Sequence, residues 1–98
     1  KPSENIVPAI VLYEVYKKVK QMKSEEAALV AISTMQQARF VPLTEDLSIA
    51  AADVSLHFKL AMADSIVYAT AIQENARLIT SDKDLKDLPQ VIYYPKAT

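Results

Sequence analysis

The chain has 98 residues, of which 51% are apolar, and we expect residues 1–98 to form one small domain with a continuous core. Its formal charge of −1 lacks the basic excess that is typical of a dedicated DNA-binding domain. The absence of Cys excludes a disulfide scaffold and a thiolate nucleophile, and the absence of Gly excludes the glycine-rich loops that bind nucleotide phosphates.

The first half of the chain predicts two helices between short strands. Residues 6–7 indicate an extended segment, and residues 9–22 predict a helix that begins apolar and ends in lysines, which suit the negative end of the helix dipole. Ser24, followed by two acids, is typical of a helix cap and first turn, and this second helix should run to about Gln37. A short strand is expected at residues 39–42.

The second half of the chain predicts two more helices and two more strands. Thr44 should cap a third helix, whose first turn is acidic. A fourth helix is expected from Asp64 to about Asn75, followed by a strand at residues 77–80. A short turn then leads to a last strand at residues 91–94. Helices that alternate with short strands indicate an α/β fold with a parallel sheet.

Three acids are unusual because they interrupt apolar stretches or follow a strand. Glu14 is the only charge between residues 5 and 16, and Asp64 is the only charge between residues 60 and 73. Asp82 lies just beyond a predicted strand, at the end where parallel sheets bind ligands. An unpaired buried carboxylate is strongly unfavourable, so such acids need a cation or hydrogen bonds. We expect the three to converge on a divalent metal that cleaves a phosphodiester.

Each of these acids also has a simpler structural interpretation. Glu14 could pair with Lys18 one helical turn later. Asp64 could be the N-cap or a first-turn residue of its helix, and Asp82 could form an Asx-turn or a cap. We interpret the remaining acids as solvated, with Asp84 the closest case. The five tyrosines are interpreted as residues of the core or its edge.

Two segments together resemble a known family. The segment ADSIVYATAIQENARLITSDKDL is similar to the C-terminal motif of PIN-domain ribonucleases, the fold of VapC-type toxins. The earlier segment IVPAIVLYEVYKKV resembles that family's strand and helix with an acidic Glu. The resemblance covers essentially the whole chain in order. It implies a three-layer α/β/α domain with a short-stranded parallel sheet. The family's first strand, which ends in an Asp, has no counterpart before Ile6, so we expect an N-terminally incomplete domain.

The resemblance also implies a site and an activity. Thr80 or Ser81 corresponds to a small hydroxyl residue that steadies the site. The implied activity is that of a Mg²⁺- or Mn²⁺-dependent endoribonuclease of the toxin–antitoxin type. The resemblance also implies a homodimer that is held inactive by an antitoxin protein. Because no apolar run approaches the roughly 18 residues of a membrane span, we expect a cytoplasmic protein without membrane attachment. The family's acids correspond to Glu14, Asp64 and Asp82, as catalytic residues and metal ligands, and to Asp84 as an auxiliary ligand.

Two other functions fit the same sequence. The first is a non-catalytic, truncated PIN-fold module for dimerisation or antitoxin binding, which predicts no cleavage in any metal. The second is a phosphohydrolase that uses Asp82 and Asp84 as a DxD pair, which predicts an aspartyl-phosphate intermediate. The second is the weaker of the two, because that chemistry is typical of a larger chain.

Overall fold

The computed structural model describes residues 5–95, which form four α-helices, four three-residue strands and one 3₁₀ turn. The chain divides after Leu43 into two compact units. Each unit contains a pair of parallel strands joined by a helical crossover or a short 3₁₀ connection. The predicted α/β class with short parallel strands is therefore confirmed. Within the described residues, no helix is both long and apolar enough to cross a membrane.

The first unit is a strand–helix–helix–strand crossover. Its elements are β1 (Ile6–Pro8), α1 (Ala9–Met22), α2 (Glu25–Met35) and β2 (Arg39–Val41). The Ser24 hydroxyl accepts a hydrogen bond from the Ala27 backbone N–H at 3.0 Å, so the predicted cap of α2 is confirmed. The second helix ends at Met35, two residues before the predicted end, because the chain tightens into i→i−3 hydrogen bonds ahead of β2.

The helix α1 packs against α2 but has no fully buried residue. The most buried side chains of this unit are Ala28 and Val41, both small or medium in size. Tyr13 is 62% exposed, so its predicted place in the core or at its edge is wrong. Leu29 is also half-exposed, and the two helices therefore leave apolar surface uncovered between them.

The second unit contains the larger core. Its elements are α3 (Glu45–Phe58), α4 (Met62–Gln73), β3 (Leu78–Thr80), the 3₁₀ turn (Lys83–Leu85) and β4 (Val91–Tyr93). Leu60, Tyr68 and Leu85 form a buried cluster, on which Phe58 and other half-buried apolar residues pack. The rings of Phe58 and Tyr68 meet edge to face, with centroids 5.6 Å apart, a favourable aromatic geometry.

Turns that need a left-handed backbone are made without glycine. Lys59, Asn75 and Gln90 have φ values of 58°, 51° and 66°. Lys59 ends α3, and the next N–H, that of Leu60, donates to the Ser55 carbonyl at 3.1 Å, a Schellman-like closure. A side chain in this region is disfavoured relative to glycine, so the chain carries some strain at these positions.

Candidate metal site

The helix α4 provides a rigid support for Asp64. Half of its twelve residues are buried, including the polar residues Ser65 and Thr70. The Ser65 hydroxyl donates to the Ala61 carbonyl, and the Thr70 hydroxyl donates to the Ile66 carbonyl, each at 2.7 Å. The buried hydroxyls are therefore satisfied within the helix. Asp64 lies in its first turn and is half-buried.

The start of α4 differs from the predicted start. The helix begins at Met62 rather than at Asp64, and its N-cap is Ala61, which makes no side-chain cap. Asp64 is thus the third helical residue, so its interpretation as the N-cap is wrong and its interpretation as a first-turn acid is confirmed. Its charge is still favoured there, because the N-terminal end of a helix carries a partial positive charge.

Backbone hydrogen bonds fix the loop that follows β3. The Thr80 hydroxyl accepts from the Asp82 N–H at 3.0 Å. Asp82 Oδ1 in turn accepts from the Asp84 N–H at 2.9 Å and caps the 3₁₀ turn, so the predicted Asx-turn is confirmed. Leu85 is only 2% exposed and anchors the turn in the core. Ser81 is half-buried between Thr80 and Asp82.

These supports bring three carboxylates together. Asp64, Asp82 and Asp84 each offer one oxygen, and the three oxygens lie within 4.8 Å of one another. Two unit charges at this separation repel by about 1 kcal/mol in water and by about 3 kcal/mol at an effective dielectric constant of 20. The geometry therefore favours a cation among the three groups. Asp64 and Asp82 are half-buried, and Asp84 is exposed.

The donor set fits a hard divalent cation. Carboxylate oxygens are the ligands preferred by Mg²⁺ and Mn²⁺, whereas softer ions favour thiolate or imidazole. The chain has no Cys, and its single His57 is an exposed residue near the end of α3. Three carboxylates also leave coordination positions for water, as Mg²⁺ requires.

Glu14 lies on α1 in the first unit and is exposed. Glu14 interrupts an apolar stretch of sequence, but polar side chains lie beside it on the helix surface. Lys17, Lys18 and Gln21 follow it on the same side of α1, and together they line a shallow depression with it. No ion pair joins Glu14 to Lys18 in the described residues, so the interpretation of Glu14 as the ion-pair partner of Lys18 is wrong. The role of Glu14 as a metal ligand stays a prediction.

Two residues hold the loop in ways that were not predicted from the sequence, although Tyr68 is buried, as the core interpretation of the tyrosines predicts. Leu85 is the only apolar residue between positions 81 and 87, and this isolation was a usable signal of an anchor. Tyr68 lies under the same loop and donates its hydroxyl hydrogen to the Pro89 carbonyl at 2.9 Å. Burial raises the pKa of the Tyr68 hydroxyl above its ordinary value. Its contact with Pro89, 21 residues away, has no local sequence signal.

Comparison with known proteins identifies the family. The sequence model of the PIN domain family matches residues 2–91. A chain of a solved toxin–antitoxin complex from Klebsiella pneumoniae is similar at 26% identity and a TM-score of 0.80, over 98% of this chain and 79% of that one. No curated protein matches. Since the family model spans nearly the whole sequence and the fold agrees, the chain belongs to the PIN domain family.

Proposed function

We propose that the chain is a Mg²⁺- or Mn²⁺-dependent endoribonuclease of the toxin–antitoxin type. The observation that carries the proposal is the group of Asp64, Asp82 and Asp84, whose oxygens lie within 4.8 Å of one another in a PIN domain. The similar toxin–antitoxin chain from Klebsiella pneumoniae supports the toxin class. Because the proposed substrate is RNA, the cytoplasm is the proposed location.

The residues of the loop and of α4 have distinct roles in this proposal. Asp64, Asp82 and Asp84 would hold the ion, and Glu14 is the fourth proposed ligand. When bound, a divalent cation lowers the pKa of a water and offsets the charge that builds on the phosphate. Thr80 fixes the Asp82 backbone through its hydroxyl, and the neighbouring Ser81 is proposed to assist. Thr80 is therefore a positioning residue.

The test replaces single carboxylates without changing shape. Asp64→Asn and Asp82→Asn should each abolish Mn²⁺-stimulated RNA cleavage, because each removes one anionic ligand. The fold should survive in Asp82→Asn, since an amide oxygen can still accept the 2.9 Å hydrogen bond from the Asp84 N–H. Asp87→Asn is the matched control, because Asp87 is an exposed acid just beyond the 3₁₀ turn and is not in the group.

The cleavage is followed on a labelled single-stranded RNA, and melting curves of every variant check the fold. Cleavage that persists in both Asp64→Asn and Asp82→Asn would contradict the proposed site. Loss of cleavage in Asp87→Asn would show that the assay responds to net charge rather than to the three grouped carboxylates.

A partner protein is the second part of the proposal. The two helices of the first unit enclose a groove of 420 Å³ whose lining is almost entirely apolar. A groove of this kind suits the apolar side chains of an antitoxin segment, and the similar solved chain is part of a toxin–antitoxin complex. A homodimer is also proposed. The lining residues are Ala9, Leu12, Tyr13, Tyr16, Leu29 and Ile32.

The same groove favours the alternative function, a non-catalytic PIN-fold module for dimerisation or antitoxin binding. This alternative predicts no cleavage with Mg²⁺ or Mn²⁺, together with concentration-dependent self-association. Leu29→Asp would place a charge in the groove at a half-exposed position and should weaken that association. Sedimentation of the parent and of Leu29→Asp, run beside the cleavage assay, distinguishes the two functions.

A further inference from the structure

The second half of α1 and its C-cap residue, Lys23, carry a concentration of positive charge. Four lysines and no acid occur between residues 15 and 24, although the whole chain has a formal charge of −1. Lys20 is partly neutralised, because its Nζ lies 3.6 Å from a Glu25 carboxylate oxygen. In residues 5–95, the other three lysines form no ion pair with a carboxylate. This part of the helix can therefore attract an anion.

An exposed aromatic ring lies among these lysines. Tyr13 is 62% exposed, and the Lys17 Nζ lies 5.6 Å from the centroid of its ring. One turn further on, the Lys20 Nζ lies 5.5 Å from the centroid of Tyr16. Exposed aromatic rings next to cations are the components with which proteins bind single-stranded nucleic acid, because the ring stacks on a base and the cation contacts phosphate.

The ring and the lysines line one depression. It has a volume of 360 Å³ and lies along α1. From Tyr13 to Gln21 the helix rises by about 12 Å, which is enough to contact a base and its flanking phosphates. Its lining residues are Tyr13, Glu14, Lys17, Lys18, Gln21 and Met22.

We propose that Tyr13, Lys17, Lys18 and Gln21 form a binding surface for single-stranded RNA, here named the Lys17 surface. Tyr13 stacks on a base, and Lys17 and Lys18 contact the phosphates on either side. The inference rests on the proposed function in that the RNA is its substrate. An acidic protein segment is the rival occupant; it would use the lysines but offers no planar group to cover the Tyr13 ring.

Binding is measured separately from cleavage. Fluorescence anisotropy of a short labelled single-stranded RNA is followed with the full chain carrying Asp82→Asn, in EDTA, so that neither metal nor cleavage contributes. In this background Lys17→Gln/Lys18→Gln is compared with Lys59→Gln/Arg77→Gln. The control pair removes the same charge from exposed positions of the second unit. Melting curves confirm that each variant is folded.

Each lost phosphate contact should weaken binding about 5-fold at about 0.1 M salt, so Lys17→Gln/Lys18→Gln should weaken it about 25-fold. The slope of log affinity against log salt should fall by about 1.4. Tyr13→Ala should weaken binding by about 5-fold or more, and Tyr13→Phe should retain it, because the phenyl ring still stacks. The control pair should bind as the parent does.

Three results would overturn the Lys17 surface. One is an equal loss of RNA affinity in the control pair, which would mean that only the net charge of the protein determines binding. Another is unchanged affinity in Lys17→Gln/Lys18→Gln. The third is displacement of the RNA by polyglutamate as effectively as by unlabelled RNA, which would assign the surface to an acidic protein segment. A parent chain that binds RNA through this surface but cleaves none would contradict the proposed function and leave this inference standing.

Discussion

Removing one charge from the carboxylate group should stabilise the protein when no metal is present. Asp84→Asn is the cleanest change, because Asp84 is exposed and its backbone N–H, not its side chain, bonds to Asp82. The substitution removes repulsion with both Asp64 and Asp82. At 4.8 Å each pair is worth about 1 kcal/mol in water, and screening at physiological salt reduces this to about 0.5 kcal/mol.

Asp84→Asn should therefore raise the free energy of unfolding in EDTA by about 1 kcal/mol at physiological salt and by about 2 kcal/mol at low salt. A gain of 1 kcal/mol corresponds to a rise of about 4–8 °C in the melting temperature of a domain of this size. In millimolar Mg²⁺ the parent should melt at a higher temperature than Asp84→Asn, because the parent keeps all three anionic ligands and is stabilised more by the ion.

The assay is thermal unfolding followed by circular dichroism, in EDTA and in Mg²⁺, at low and high salt. Asp87→Asn is the control, since it removes an exposed acid outside the group. A destabilised Asp84→Asn in EDTA, or a gain no larger than that of Asp87→Asn, would refute the argument that the three carboxylates repel one another. A melting temperature of the parent that Mg²⁺ leaves unchanged would contradict the metal site.

Three further changes test the fold that supports the loop. Leu85→Ala should lower the free energy of unfolding, measured in urea, by about 2–5 kcal/mol, because Leu85 is 2% exposed in the core cluster. A loss under about 1 kcal/mol would mean that Leu85 does not anchor the loop. Burial raises the pKa of the Tyr68 hydroxyl, so the stability that the neutral hydroxyl contributes is present below about pH 10 and is lost as the pH rises through the raised pKa. Tyr68→Phe removes the hydrogen bond to Pro89 and should lower the free energy of unfolding by about 1 kcal/mol at neutral pH. Its urea midpoint should also decline less than that of the parent at alkaline pH. Lys59→Gly should raise the free energy of unfolding by about 1 kcal/mol, since φ is 58° there, and an unchanged or lower value would contradict the strain assigned to this position.

Local sequence signals located most elements of the fold. Ser24 and Thr44 cap α2 and α3 as predicted, because hydroxyls that accept helical N–H groups leave a clear signature. The start of α4 was missed because Ala61 caps it without a side chain. The strand ends were placed within one residue of the prediction, although each strand has only three residues.

The carboxylates show where sequence reasoning stops. That Asp82 follows a strand could be read from the chain, and the structure brings it next to Asp64 and Asp84. The exposure of Glu14 did not follow from its apolar neighbours in the sequence, because neighbours in sequence need not be neighbours on a helix surface. The exposed Tyr13 was missed for the same reason, since burial depends on what packs against α1. The single-domain prediction for residues 1–98 stays a prediction.

The most direct test of the central claim compares metal binding with cleavage in one titration. Mn²⁺ is added to the parent chain and to Asp64→Asn, the bound ion is followed by electron paramagnetic resonance, and RNA cleavage is measured in the same samples. The account predicts that binding and cleavage saturate together in the parent and that both are lost in Asp64→Asn. Binding that Asp64→Asn leaves unchanged, or cleavage that saturates at a different Mn²⁺ concentration from binding, would contradict it.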